Sequence, residues 1–233
     1  MKALILAAGR GRRLEHLTKF ASKALVKIFN KEILQHQLDM LKKCGIKNVA
    51  IVVGYKKEKV KEILKKNKKY FKFQIYENDL YDVTDSAFSY YLARNFIKNS
   101  NYLHLNCDIF FDKIVLSNII SSNEKNIFAC RSDIKLGNQM DLVKIKNTRA
   151  IKFKNKFYKD ATAKVFGLAK FSCEISSELI SRIKKDLDKG FLKKKCFSYL
   201  NLIVENNKIK SCLFDNKNLF EINTINDYRI LTC

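Results

Sequence analysis

The chain has 233 residues, of which 47% are hydrophobic, including 17 Phe and 10 Tyr, and this composition excludes a disordered protein. Apolar runs such as LILAA and VAIVVG are far shorter than the roughly 20 residues that span a bilayer, so we expect no membrane segment. The 46 Lys and Arg against 23 Asp and Glu give a net charge of +23. The lysines are spread along the chain, and the absence of Pro indicates a biased coding sequence. We therefore expect solvated basic faces, with anionic substrates as the alternative and nucleic acid as a much weaker one.

The N-terminal segment and the cysteines together predict a cytoplasmic protein. The apolar run comes first and Arg12 and Arg13 follow it, whereas a secretory signal begins with its charges. The cysteines form no CxxC motif and no pairing with His, which is typical of reduced thiols and argues against a zinc site. There are seven of them: Cys44, Cys107, Cys130, Cys173, Cys196, Cys212 and Cys233.

The first half of the chain alternates between strand and helix patterns. MKALILAA is a continuous apolar strand, and apolar residues recur at helical spacing over residues 33–43, where Gly45 ends the helix. NVAIVVGY is a second buried strand, and residues 57–66 are again helical. FKFQIYEN alternates as a strand, residues 86–97 form a helix, and NYLHLNCDIFFD contains a further strand. This alternation of strands and helices predicts a parallel sheet with right-handed crossovers and helices on both faces.

The second half has a different pattern. MDLVKIKN, AIKFKNKFY and AKVFGLAKF follow one another as strands without intervening helices. A helix is predicted over residues 176–187 and another near the C-terminus. No Pro, Gly or Ser cluster marks a linker, and no repeat is visible. We expect one α/β domain over residues 1–233, with a mixed or antiparallel extension of the sheet.

A glycine turn, Ala7-Ala8-Gly9-Arg10-Gly11-Arg12-Arg13-Leu14, follows the first strand directly. Small residues at such a turn let backbone N–H groups approach a phosphate closely, and a neighbouring cation neutralises its charge. The turn is not a P-loop, because GxxxxGK[ST] is absent, and Leu14 replaces the third glycine of a dinucleotide fingerprint. Lys23, followed by Ala24-Leu25-Val26, strengthens the prediction of a phosphate site.

This opening segment resembles the nucleotidyltransferases of the sugar-phosphate and phosphocholine cytidylyltransferase type, whose hallmark is LAAGxGxRLxPLTxxxPKAL. The resemblance implies a mostly parallel Rossmann-like twisted sheet of the nucleotide-diphospho-sugar transferase type, with a small mixed-sheet acceptor subdomain. It also implies a nucleotide-binding half at residues 1–115 and an acceptor-binding half at residues 116–233. The matching residues, without a gap, are Leu6, Ala7, Ala8, Gly9, Gly11, Arg13, Leu14, Leu17, Thr18, Lys23, Ala24 and Leu25.

The resemblance also implies roles for residues of the nucleotide site. Arg13 and Lys23 match the Arg and Lys that bind phosphates and stabilise charge at the α-phosphorus, and we expect both to be catalytic. NDLYDVTDSAFSYYLARNF resembles NxxYxxxNNxxSLYLA, a segment that lines the nucleotide and acceptor pocket in the cytidylyltransferase branch. The expected nucleotide-binding residues are Leu6, Ala7, Ala8, Gly9, Arg10, Gly11, Arg12, Asp85 and Ser86.

Two further matches imply a magnesium site. LHLNCDIFFD is similar to LLLNGDVLFD, whose Asp is a Mg²⁺ ligand, and this role falls on Asp108 at the carboxyl end of a strand. FEINTINDY resembles the closing motif WxEIDTPEDY, in which Asn223 replaces a second magnesium-binding Asp. Asparagine still offers a neutral oxygen, but the site loses one negative charge and should hold Mg²⁺ less tightly.

The acceptor site is less well defined by the sequence. Lys154 matches a family lysine near the acceptor phosphate, although an exposed strand lysine is an equally good interpretation, and Lys164 replaces a Glu near the acceptor. Glu221, in the closing motif, is the third expected acceptor-binding residue. The sequence departs from the family pattern at further positions. Ser22 and His16 replace two prolines, Cys107 replaces a Gly, and Asp85 and Ser86 replace an Asn pair. His16, His36 and His104 have no catalytic partner at a readable spacing, and we interpret them as structural, with His36 on the exposed side of a helix and His104 inside a strand.

The resemblance implies a Mg²⁺-dependent nucleotidyltransferase of cell-surface polysaccharide biosynthesis. The phosphate of a small acceptor such as phosphocholine would attack the α-phosphorus of an NTP in line, and pyrophosphate would leave. The short chain favours CTP. The alternatives are a UTP- or GTP-dependent sugar-1-phosphate nucleotidyltransferase and a degenerate homologue that binds nucleotide without turnover. The sequence leaves the acceptor, the NTP and the oligomeric state open, although a homodimer is one expectation.

Overall fold

A nine-stranded mixed sheet forms the centre of the computed structural model, which describes residues 1–206 and 208–232. Its strand order is β5-β4-β1-β6-β11-β8-β12-β10-β9. These strands are β1 (Lys2–Ala7), β4 (Asn48–Val53), β5 (Lys72–Glu77), β6 (Tyr102–Asn106), β8 (Ile127–Arg131), β9 (Leu142–Lys146), β10 (Arg149–Lys154), β11 (Ala163–Phe171) and β12 (Lys210–Phe214). Two small two-stranded sheets pair β2 (Lys27–Ile28) with β3 (Lys31–Glu32) and β7 (Ile109–Phe111) with β13 (Leu219–Glu221).

The helices cover both faces of this sheet. They are α1 (Ile33–Lys43), α2 (Lys57–Asn67), α3 (Ser86–Leu92), α4 (Arg94–Ile97), α5 (Lys113–Ser121), α6 (Cys173–Leu187), α7 (Asn201–Val204) and α8 (Ile225–Thr232). Short 3₁₀ segments span Arg12–Thr18, Lys23–Leu25 and Cys196–Leu200. None of the helices in these described ranges is long and apolar enough to cross a membrane.

The direction of the strands changes along the sheet. β5, β4, β1 and β6 run parallel, and β11 is antiparallel to both β6 and β8. Beyond that point β12 is parallel to β8, whereas β10 and β9 are antiparallel to their neighbours. The predicted α/β class is confirmed, and the strands of the second half extend the same sheet. The functional division into residues 1–115 and 116–233 stays a prediction.

Three clusters of buried apolar side chains hold these layers together. One face of the sheet packs under α3 and α6 around Tyr90, Phe128 and Phe171. The opposite face packs under α1, α2 and α5 around Leu38 and Leu64, among others. A third, much smaller cluster lies outside both faces, and its buried members are Leu14, Val26, Ile28, Ile33 and Ile222.

Several element boundaries differ from the sequence prediction. The helix predicted over 86–97 is divided at Ala93 into α3 and α4. The helix predicted over 176–187 begins earlier, at Cys173, because Ser172 caps it by accepting a hydrogen bond from the Ile175 N–H. β8 and β12 were not predicted, since each is a five-residue segment whose burial depends on strands distant in sequence.

The contacts of His36 and His104 indicate structural roles for both. His36, expected on the exposed side of α1, is half-buried, with Nε2 at 2.9 Å from the Ile28 carbonyl and its ring against Phe110. His104 is fully buried in β6, and burial lowers its pKa to about 4. Because of this low pKa His104 stays neutral, and its Nε2, 3.1 Å from Asn106 Oδ1, supports a side chain at the end of the strand.

Candidate active site

An open cleft of about 540 Å³ lies at the carboxyl ends of β1 and β6, where parallel α/β sheets bind their ligands. The structure brings most of the sequence-predicted site residues to its walls. Those that line it are Leu6, Ala8, Gly9, Gly11, Arg13, Lys23, Asp85, Ser86, Asp108, Lys164, Glu221 and Asn223. Segments from both ends of the chain therefore build one cleft.

The glycine turn after β1 is fixed by two close approaches. Gly11 has a φ of 78°, and a Cβ there would lie 3.0 Å from the Cβ of Lys23. A Cβ at Gly54 would lie 2.7 Å from the Ala8 carbonyl oxygen, which accepts a hydrogen bond from the Tyr55 N–H at 3.0 Å. Glycine is therefore needed at both positions, and the turn is held against β4 with Lys23 beside it.

Lys23 stands between the two predicted metal ligands. Its Nζ donates to Asp108 Oδ2 at 2.6 Å and to Asn223 Oδ1 at 2.8 Å. The side chains of Lys23 and Asp108 are only 10% and 16% exposed, so solvent screens this ion pair weakly. Arg13 donates to the same Asn223 oxygen at 2.9 Å. Two cations, one carboxylate and one amide thus meet at one point.

The closing segment positions Asn223 opposite Asp108 through main-chain contacts. β13 pairs with β7 so that Glu221 lies across from Ile109, and the Ile222 N–H donates to the Asp108 carbonyl oxygen at 2.9 Å. The Asn223 N–H donates to Asp227 Oδ2 at 2.9 Å, which fixes the turn into α8. The amide oxygen of Asn223 is therefore directed to the Lys23 ammonium by the backbone on both sides of it.

Lys164 and Glu221 form a second ion pair further along the cleft. Their side chains are in contact and only 11% and 15% exposed. Burial alone would raise the pKa of Glu221, but Lys164 and Lys23 outweigh it and hold that pKa below its usual value. Two of the three expected acceptor-binding residues, Lys164 and Glu221, therefore lie in the cleft and contact each other.

Asp85 and Ser86 connect the start of α3 to the segment around residues 192–196. Asp85 caps α3 by accepting a hydrogen bond from the Ser86 N–H at 2.6 Å. The Ser86 Oγ accepts one from the Cys196 N–H at 2.9 Å, and the main chain of Asp85 donates to the Leu192 carbonyl at 3.2 Å. The start of α3 is thus tied to the loop before the last 3₁₀ segment.

Four of the predicted residues do not reach the cleft. Ala7 is buried in β1, and Arg10 lies on the ring of Tyr55 at 5.1 Å. The exposed Arg12 pairs with Asp82 at 3.1 Å. Lys154 is exposed on β10, next to the last strand of the sheet, with Nζ 5.8 Å from the Tyr158 ring centre. The structure agrees with the alternative interpretation of Lys154 as an exposed strand lysine.

Asn78 and Tyr81 also line the cleft, and both belong to the segment NDLYDVTDSAFSYYLARNF that the resemblance implies lines the pocket. Asn106, Asp141 and Lys195 were not singled out from the sequence, and they reach the cleft from a strand end and from loops that carry no periodic pattern. Asn106 has the clearest signal, because it ends β6 next to Asp108. Its side chain fits only because β11 has a glycine there, since a Cβ at Gly167 would lie 2.3 Å from Asn106 Nδ2.

A glycine turn, two lysines and an arginine at the carboxyl edge of a parallel sheet define a site for phosphorylated anions. A family model described as nucleotidyl transferase matches residues 2–174. The chain therefore belongs to the nucleotidyl transferase family.

Two relatives and one solved structure show which members of the family this chain is similar to. CTP:phosphoglutamine cytidylyltransferase of Campylobacter jejuni is 28% identical over 99% of this chain and 98% of its own length. A bifunctional sugar-1-phosphate nucleotidylyltransferase/acetyltransferase of Sulfurisphaera tokodaii is 32% identical over 60% of this chain and 32% of its own length. The structure of CTP:phosphocholine cytidylyltransferase from Streptococcus pneumoniae superposes with a TM-score of 0.83 at 25% identity, covering 99% of this chain and 97% of that one.

Proposed function

We propose that the chain transfers CMP from CTP to a small phosphorylated acceptor and releases pyrophosphate. The observation that carries this proposal is the meeting of Lys23, Arg13, Asp108 and Asn223 in one cleft beside the glycine turn. Two cytidylyltransferases whose lengths match this chain almost completely support CTP as the nucleotide. The cytoplasmic location and a homodimer stay predictions.

The residues of the cleft account for the chemistry without a covalent intermediate on the protein. The acceptor phosphate attacks the α-phosphorus in line, the bond to the pyrophosphate oxygen breaks, and pyrophosphate leaves. Lys23 and Arg13 lie where they would stabilise the charge on the reacting phosphates, and the backbone of the glycine turn would hold the triphosphate. Catalysis then consists of positioning and charge stabilisation.

The residues present also fit a divalent cation. Asp108 Oδ1 is buried and has no hydrogen-bond partner in the described structure, and Asn223 offers a second oxygen nearby. Mg²⁺ is commonly held by one or two carboxylates together with substrate phosphates, so two protein oxygens suffice. When bound by Asp108 and Asn223, Mg²⁺ would neutralise charge on the phosphates. Since Lys23 already lies between these oxygens, we expect the nucleotide to be needed for the cation to bind.

The proposal is tested by measuring pyrophosphate release from CTP, UTP, GTP and ATP, each with a panel of phosphorylated acceptors and Mg²⁺. We expect release with CTP and a phosphorylated alcohol or amino acid. Release with UTP or GTP and a sugar 1-phosphate would favour the second candidate, which the similarity to the Sulfurisphaera tokodaii enzyme supports. No release from any pair would leave a homologue that binds nucleotide without turnover.

Asn223→Asp is expected to lower the Mg²⁺ concentration that gives half-maximal rate, with kcat equal or higher. Asp108 and residue 223 would then supply two carboxylates, and the oxygen at 223 would pair as an ion with Arg13 and Lys23. A magnesium titration of both proteins at saturating CTP checks this. Asn218→Asp, which lies outside the cleft in the loop before β13, adds the same charge as a control. An unchanged titration for Asn223→Asp would show that residue 223 does not face the metal.

A further inference from the structure

The cleft extends beyond Lys164 and Glu221 into a region that we call the head-group end, formed by Asp85, Asp141, Lys195 and Phe197. Several charged side chains lie between Lys23 and this end of the cleft. Lys164 and Glu221 form the ion pair described above. Asp141 lies near both of them: burial raises the pKa of its carboxyl, and the positive charges of Lys195 and Lys164 act against that rise. A phosphate reacting beside Lys23 would therefore leave the rest of the acceptor to lie along this row, toward Asp141.

The head-group end has no aromatic cage for a quaternary ammonium group. Such a cation cannot donate hydrogen bonds and is recognised mainly by the faces of aromatic rings. Among the described residues that line the cleft, the aromatic ones are Tyr81 and Phe197. The Phe197 ring packs into the core against His104, with ring centres 4.8 Å apart, and the residue is only 2% exposed. Tyr81 packs edge-on against Tyr55, beside the glycine turn.

Carboxylates take the place of aromatic rings there. The Asp141 side chain is oriented by Asn155, whose Nδ2 donates to one of its oxygens at 2.5 Å. The exposed Asp85 lies at the start of α3. Burial, and after it the negative charges of Asp141 and Asp85, raise the pKa of the Cys196 thiol, so both carboxylates lie near this one residue. Lys195 supplies one positive charge against these two negative ones, so the head-group end is negative. Carboxylates bind best those cations that donate N–H hydrogen bonds to them.

We propose that the acceptor carries a primary ammonium group, and that Asp141 is the residue that selects it over a trimethylammonium group. The inference rests on the proposed function and concerns the part of the acceptor that does not react. Asp141 would accept N–H hydrogen bonds from the ammonium, with Asn155 holding the carboxylate in place. A trimethylammonium group has the same charge but no N–H, and its methyl groups would keep the carboxylate from any hydrogen bond.

Successive N-methylation of one acceptor tests the proposal on the unmodified protein. Phosphoethanolamine, its N-methyl and N,N-dimethyl derivatives, and phosphocholine carry the same charge but progressively fewer N–H donors. With CTP and Mg²⁺, kcat/KM for pyrophosphate release is expected to fall along this series, by about tenfold to a hundredfold in all. Equal or better use of phosphocholine would overturn the proposal.

A substitution identifies the selecting residue. Asp141→Asn keeps the size of the side chain but removes its charge, so the ratio of kcat/KM between phosphoethanolamine and phosphocholine should fall toward one. The change should come through KM for the acceptor, while KM for CTP stays the same. Asp160→Asn is the matched control, because Asp160 is an exposed carboxylate paired with Lys144 and outside the cleft. An unchanged ratio in Asp141→Asn would overturn the assignment, whereas the methylation series stands even if that variant fails to fold.

The outcomes separate this inference from the proposed function. Release of pyrophosphate with phosphocholine or a sugar 1-phosphate, but not with phosphoethanolamine, would keep nucleotidyl transfer and overturn the ammonium preference. No release with any nucleotide and any acceptor would overturn the proposed function, and the inference would fall with it.

Discussion

Replacing Lys23 with alanine is expected to lower kcat by about 10²–10³, with a much smaller rise in KM for the nucleotide. Lys23 is held by Asp108 and Asn223 beside the glycine turn, so its ammonium is already positioned before substrate arrives. Its charge matters most when negative charge reorganises around the α-phosphorus, and its loss should therefore affect the transition state more than the bound substrate. Steady-state rates with varied CTP would separate kcat from KM.

Lys27→Ala provides the matched control for this experiment. Lys27 is an exposed lysine in β2, four positions from Lys23, and it does not line the cleft. Its replacement should leave kcat within about twofold, since an exposed lysine distant from the reacting atoms contributes little to either state. A loss of less than fivefold in Lys23→Ala would instead mean that Lys23 has no part in the reaction.

Asp108→Ala is expected to abolish turnover, while the melting temperature of the protein without ligands changes by only a few degrees. The carboxylate has one oxygen paired with Lys23 and one that is buried without a partner, so its burial already carries a desolvation cost. Removing it relieves that cost and offsets the lost ion pair, since Lys23 keeps its contact with Asn223. Activity in Mg²⁺ and thermal unfolding of the same preparation check both parts.

Asp112→Ala is the matched control: it should lower Tm by a similar small amount but leave the activity in place. Asp112 caps α5 by accepting hydrogen bonds from the Ile114 and Val115 N–H groups, and it does not line the cleft. Loss of such a cap costs about 1 kcal/mol, which lowers Tm by about 2–4 °C in a protein of this size. Activity at a temperature well below Tm should persist. Full activity of Asp108→Ala in Mg²⁺ would rule out the metal site, and a collapse of its Tm would make Asp108 a structural residue.

The parts of the site that could be predicted lie in one continuous segment or at a strand end. Gly11 and Lys23 belong to a run of about twenty residues, and their contact follows from the turn that the run forms. Asp108 follows the buried strand β6, and the carboxyl end of a parallel strand is where a ligand is expected. Local pattern and chain direction together therefore place these residues correctly.

The acceptor part of the site could not be predicted in the same way. Lys154 was expected there, but β10 lies at the far side of the sheet, and strand order is decided by pairings between distant segments. Asp141 and Lys195 reach the cleft from loops, and their neighbours in space lie far away in sequence. The ion pair between Lys164 and Glu221 likewise depends on how β11 and β13 meet. No pattern within a short stretch of the sequence predicts such contacts.

The small cluster of Leu14, Val26, Ile28, Ile33 and Ile222 has a consequence for motion. It anchors the segment that carries Arg13 and Lys23 to the segment that carries Asn223, although Lys23 and Asn223 are 200 positions apart. Because its buried core is far smaller than the two main clusters, it should open locally while the sheet stays folded. Amide hydrogen exchange in residues 12–28 and 219–232 should then proceed at one common rate, faster than in β1 or β6. A bound nucleotide, held from both segments, should slow both together, so that the site gains and loses order as a single unit.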